Sequence, residues 1–221
     1  MTLEAAAVAL VFAVVGGGAE RLASVWPPDE ASRRPAGPRT VLIGAAAALA
    51  GGAIALRSSL PTWALAVHLL VLAILVLLTA TDLEQRRLPH LLLDPLILVA
   101  ALFVPFNPTV PPTSALLGAA AGVAFMGALG LIVRGGVAFG DLLLVAPLGL
   151  LLGWPAIFVA MFVAGILSAG VSIGLLLSRR AGLRSYIPFA PFLVAGAIVA
   201  LVGDQRILGP IAAAVSGLLG S

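Results

Sequence analysis

Two aspartates stand out for where they sit. Asp82 closes an apolar run from Leu69 to Ala80, and Asp141 opens another from Leu142 to Leu152. A carboxyl group at the margin of the hydrocarbon is costly unless it lines a cavity or has a partner, so such a residue is read first as functional. An aspartate that begins a helix is also favoured as an N-terminal cap, and one that ends a helix can lie among headgroups, so neither residue alone demands chemistry. A pair does more. Two carboxyl groups sharing one proton can work in opposite senses: one takes a proton from water as it attacks a peptide carbonyl, and the other protonates the carbonyl oxygen. That chemistry needs no metal and no nucleophilic side chain. Glu84 and Asp94 also lie at helix edges, whereas Glu4, Glu20, Asp29, Glu30 and Asp204 fall in expected loops or termini as ordinary solvated carboxylates.

The elements that must position these groups are membrane helices. Of 221 residues, 62% are hydrophobic and 10% are charged, far from the roughly 25% charge of soluble domains. Apolar stretches approach the roughly 20 residues needed to cross a hydrocarbon core. They are expected near 3–19, 40–56, 63–81, 91–106, 114–133, 141–153, 155–178 and 187–203, giving an all-α polytopic membrane protein with about eight transmembrane helices. The apolar stretch 207–220 is either an interfacial helix or a further span. The first run lacks the basic flank of a cleaved signal and is read as a retained helix. Without a repeat, the chain 1–221 reads as a single integral membrane domain in which 20–39 is a short loop.

All twelve basic residues are arginines, and their placement argues for topology rather than for nucleic acid. With the N-terminus outside, Arg21, Arg33, Arg34, Arg39, Arg86, Arg87, Arg134, Arg179, Arg180 and Arg184 face the cytoplasm, leaving Arg57 and Arg206 outside. Asp82 and Asp141 then share the cytoplasmic face. The absence of cysteine excludes thiolate chemistry and disulfides, and two histidines, His68 and His90, are too few for a histidine-rich metal site. No metal and no cofactor is expected. Small-residue pairs, Gly118 with Gly122, Gly149 with Gly153 and Gly170 with Gly174, are expected to let helices pack closely. The glycines before Asp141, in Arg134-Gly135-Gly136-Val137-Ala138-Phe139-Gly140-Asp141, fit either a backbone approached by an extended substrate or a flexible turn.

In these motifs the chain resembles the bacterial prepilin peptidases, the type IV leader peptidases of the Gly-x-Gly-Asp aspartic protease family. Thr81-Asp82-Leu83-Glu84-Gln85-Arg86-Arg87-Leu88-Pro89-His90 is similar to the first family motif, and Ala138-Phe139-Gly140-Asp141-Leu142-Leu143-Leu144 to the second. Gly149 and Leu152-Gly153-Trp154 continue the likeness, and Tyr186-Ile187-Pro188-Phe189-Ala190-Pro191-Phe192-Leu193 resembles the C-terminal Pro-Phe-x-Pro-Phe segment. The resemblance implies that Asp82 and Asp141 are the catalytic pair. It implies substrate-binding or site-shaping roles for Gly140, Ala138, Glu84, Pro89, Pro188 and Pro191. It also implies prepilin-like partners, meaning pilins, Tad-type (Flp) pilins or pseudopilins of type II secretion, whose basic leader is cut off at the inner membrane after a glycine and before an apolar helix. Ala138 stands where a glycine is usual and Leu143 where a lysine is common. The segment 20–39 lacks the paired cysteines that many relatives carry in a longer loop associated with N-methylation, so cleavage without methyl transfer is expected. Outside the family, the same aspartates would suit a non-enzymatic scaffold, an ion-coupled transport subunit or an inactive relative.

Overall fold

A lipid-solvated chain must satisfy every backbone polar group within itself, and this one does so with helices. The computed structural model describes residues 2–26, 32–132, 137–179 and 187–203. Among them are eight α-helices: α1 Leu3–Ala23, α2 Pro38–Arg57, α3 Thr62–Gln85, α4 His90–Phe103, α5 Pro112–Ile132, α6 Phe139–Leu152, α7 Ala156–Leu177 and α8 Ala190–Val202. The protein is an all-helical, polytopic membrane protein. Arg134, Gly135, Gly136, Arg180, Arg184, Tyr186, Asp29, Glu30, Asp204, Arg206 and the stretch 207–220 lie outside the described residues.

Five helices, α1, α2, α3, α5 and α7, are long and apolar enough to cross a bilayer, while the segments holding α4, α6 and α8 are shorter. A helix of 14 residues such as α6 rises about 21 Å, less than a hydrocarbon core of about 30 Å. The short helices are instead among the better buried: Leu93 and Leu96 of α4, Leu144, Val145 and Leu148 of α6 and Leu193 of α8 are fully shielded. The outer surface is hydrocarbon, with Leu3, Leu10, Val41, Leu91, Leu131 and Leu177 all well exposed.

Helix α3 joins two apolar cores. Its Val71, Leu75 and Leu78 pack with α4, α6, α7 and α8, and its Leu72, Val76 and Ala80 pack against Phe12 and Ala19 of α1 and Ala47 and Ile54 of α2. Being apolar on nearly all sides, α3 is what a central buried helix requires.

Glycine decides where neighbouring helices touch. A Cβ added to Gly149 of α6 would stand 2.5 Å from the Cα of Ala119, and one on Gly118 of α5 would stand 2.6 Å from the carbonyl carbon of Gly153. Gly122 likewise has Val145 at 2.8 Å and Ile157 at 3.1 Å from its missing Cβ. Gly153 closes α6 at φ +71°, a left-handed conformation that favours glycine. The third expected pair behaves differently. Gly170 and Gly174 have nothing within 4 Å of an added Cβ, so α7 makes no close packing there; small-residue spacing permits an approach without requiring one.

Gly149→Ala is therefore expected to lower stability by about 1–3 kcal/mol, because backbone must move to admit the methyl group. Gly170→Ala should cost nothing. Denaturant titration of both variants in detergent, followed by circular dichroism, measures the difference.

Candidate active site

Asp82 lies in the last turn of α3 and Asp141 in the first turn of α6. The fold brings them to the same end of the bundle and buries both, at 3% and 4% exposure. They share the wall of one cavity of about 240 Å³ and lie close enough to sense each other's charge. Arg86, Arg87, Leu88, His90, Ala138, Phe139, Gly140 and Leu143 complete much of the lining.

Each carboxylate lies beside a backbone amide. Oδ2 of Asp82 accepts a hydrogen bond from the N–H of Ala190 at 3.1 Å. Ala190 is the first residue of α8, so this is one of the amides that a helix start leaves without an internal partner. Pro191 follows within that first turn, where a missing N–H costs nothing, and Pro188 lies just before the helix. These two prolines shape the start of α8, but the contacts come from their neighbours. Ala190 reaches Asp82 through its amide, and Phe189 lines a second cavity against Asp141. Sequence reasoning missed both, although the motif Pro188-Phe189-Ala190-Pro191 contained them; a backbone donor leaves no side-chain signature.

Asp141 is the third residue of α6; its N–H donates to the carbonyl of Ala138, the N-cap, at 3.1 Å, and the Ala138 amide lies beside its carboxyl group. Ala138 has φ −78° and ψ 149°, ordinary extended backbone, so a methyl group strains nothing at the position where relatives use glycine. Gly140 is more closely confined. Its missing Cβ would meet the side chain of Leu88 at 3.2 Å, so its bareness lets the start of α6 lie against the α3–α4 connection.

That connection is turned by Arg86, which ends α3 in the left-handed region at φ 56° and donates its N–H to the carbonyl of Asp82 at 2.8 Å. Leu88 then covers Gly140, and Pro89 serves as the N-cap of α4. His90 lines the cavity and meets Asp94 at 3.3 Å, whose own side chain is 70% exposed. His68 lies elsewhere, buried along α3 against the carbonyl of Ala64 and the ring of Phe103.

Glu84 points away from the cavity into an ionic clasp. Its Oε2 meets Arg34 at 2.6 Å and Arg39 at 2.8 Å, and Arg34 also bridges to Glu20 at 2.9 Å. Thr40 donates its hydroxyl to Glu20 at 2.7 Å. Next to Glu84, Gln85 donates to the carbonyls of Ala23 and Trp26, both at 2.9 Å. Glu20 was expected to be a solvated loop carboxylate. It is instead part of α1 and 2% exposed, because α1 continues to Ala23 and the connection to α2 is only 24–37. The clasp fixes that short connection to the end of α3, two residues from Asp82. Among the described residues, no three His, Cys, Asp or Glu side chains converge as metal ligands would.

The sequence profile of the type IV leader peptidase family matches residues 69–173, a stretch that holds both aspartates. Over that stretch the chain is similar to the type IV leader peptidase family. The similar curated proteins include "Prepilin leader peptidase/N-methyltransferase" of Aeromonas salmonicida strain A449, 36% identical over 151 residues, covering 66% of this chain and 52% of that protein. The Burkholderia pseudomallei strain 1026b protein of the same name is 34% identical over 177 residues, covering 76% and 56%. The Bacillus subtilis strain 168 protein, again of that name, is 33% identical over 140 residues, covering 62% and 55%. The chain spans little more than half the length of these relatives. No solved structure matches it.

The clasp and the cavity should separate in a stability measurement. Glu84→Ala takes from Arg39 its carboxylate partner and from Arg34 one of two, and should lower stability by roughly 1–3 kcal/mol. Asp82→Asn, which removes a buried charge while keeping its shape, should leave stability equal or higher. Denaturant midpoints of both variants in one detergent decide it.

Proposed function

We propose that this chain is an aspartic endopeptidase of the bacterial inner membrane that removes the basic leader from prepilin-like precursors. Similarity to the leader peptidase family supports a peptidase. The observation that carries the catalytic assignment is that Asp82 and Asp141, both almost wholly buried, open into one cavity at the same end of the bundle. Burying two mutually repelling carboxylates opposes stability, and a peptidase is the use that repays it.

In this reading, a water held between the two carboxyl groups attacks the scissile carbonyl. The ionised carboxylate takes the water's proton and the protonated partner donates to the carbonyl oxygen, forming a tetrahedral diol. As the C–N bond breaks, the proton taken from water passes to the leaving amine. Ala190 N–H keeps the Asp82 carboxylate oriented through both steps. Gly140 and Leu88 supply an apolar part of the same cavity wall.

Arginines favour a cytoplasmic position for this end of the bundle: Arg21, Arg33, Arg34, Arg39, Arg86, Arg87 and Arg179 lie in or beside the helix ends there, while Arg57 ends α2 at the other side. A cytoplasmic site matches precursors whose basic leader stays in the cytoplasm and whose following segment is apolar, such as pilins, Tad-type (Flp) pilins and pseudopilins of type II secretion. The relatives' names also include N-methyltransferase. Cleavage without methyl transfer is proposed here, since the connection 24–37 is short and the chain contains no cysteine.

Asp82→Asn and Asp141→Asn should each reduce processing of a co-expressed prepilin-like precursor by roughly 10³-fold or more, with membrane insertion unchanged. Either variant retaining wild-type processing would reject the mechanism. Ala138→Gly should change the rate by no more than about twofold, because the backbone there is already in a region open to any residue. A gel-shift assay of leader removal reads all three.

A further inference from the structure

Asp141 is shared by two cavities of opposite character. On one side is the cavity it shares with Asp82, where Arg86, Arg87 and His90 supply polar lining. On the other lies a cavity of about 250 Å³ between α5 and α7, walled by Phe125, Met126, Leu129, Val137, Met161 and Phe189. Asp141 is the one charged side chain among the described residues of that wall. Helices α5 and α7 are close where Gly122 meets Ile157 and Met161, and they part further along. The α7 wall contains Gly165, exposed and with nothing within 4 Å of an added Cβ. Phe125, on the α5 side, is 42% exposed. The groove is therefore open along the apolar flank of the bundle and ends at a carboxylate of the proposed pair.

We propose that this α5–α7 groove is the docking site for the apolar segment that follows the scissile bond of a membrane-anchored precursor, which enters sideways from the bilayer. The assignment rests on the peptidase reading above and adds where the substrate's membrane helix lies. Three features select that occupant. Among the described residues that line the groove, Asp141 alone has a charged or hydrogen-bonding side chain, so a polar leader would lose its hydration there without side-chain compensation. Its continuity with the aspartate places the first turn of a docked helix beside the reacting peptide bond. A wall of bare Gly165 permits the close backbone approach by which helices associate in lipid, where no hydrophobic drive exists between them. The polar leader then extends into the Asp82 side of the site, and the cut falls where polar and apolar lining meet.

The native chain has no cysteine, which makes site-directed cross-linking clean. The full chain carrying Asp82→Asn and Leu129→Cys is mixed in nanodiscs with a precursor bearing one cysteine, moved along its apolar segment. Disulfide cross-links recurring every three or four positions within the first turns after the scissile bond are expected. In the active protein, Gly165→Phe should raise KM for the same precursor roughly tenfold with kcat little changed, while Gly170→Phe, in open space further along α7, should leave both unaltered. If the wild type cleaves, and Gly165→Phe folds, cleaves at wild-type KM and no cross-link forms, the groove assignment is overturned and the peptidase reading stands. If cross-links form at Leu129→Cys but the wild type cuts nothing, the groove stands and the peptidase reading falls.

Discussion

Two carboxyl groups held out of water, within reach of each other's field, constrain everything at one end of this bundle. In hydrocarbon such groups need polar partners, and the protein supplies them from backbone rather than from side chains. The starts of two helices lie there: α8 directs the Ala190 amide at Asp82, and Asp141 sits in the first turn of α6 beside its N-cap, Ala138. Helix starts are suited to the task because their first amides have no partner within the helix.

Precision at that site depends on α3. Its end is fixed three times over, by the ionic clasp from Glu84 to Arg34 and Arg39, by the hydrogen bonds of Gln85 to the end of α1, and by the left-handed turn at Arg86. Along its length it lies between two apolar cores. Displacement of α3 would therefore disturb α1 and α2 as well as the site, and this shared packing couples the first two helices to it. Charges that seemed available for substrate are consumed in this framework, Glu84 first among them.

Contrast in helix packing gives the site its two sides. The α5–α6 contact is brought to backbone distance by Gly118 and Gly149, leaving no space between those helices. Between α5 and α7 the packing opens toward Asp141, with Gly165 bare on the wall. A membrane protein gains nothing from filling such a groove with its own side chains when lipid or a second helix can fill it equally well. The same residue type closes one interface and leaves the other open, and only the neighbouring helix decides which.

The sequence by itself determined the solvent, the helices and the pair of aspartates. Apolar length and arginine placement are local properties, so eight helices and the edge positions of Asp82 and Asp141 were legible from composition and order alone. Their motifs also carried the family likeness. Tertiary structure alone decided the partners. That Glu20 is buried, that Gly170 and Gly174 face open space, that Ala138 needs no glycine backbone and that Ala190 supplies the donor to Asp82 all depend on residues distant in sequence meeting in space. A backbone amide has the same formula at every position, and a small side chain shows only that an approach is allowed. Which amide faces which carboxylate is fixed by how α3, α6 and α8 pack.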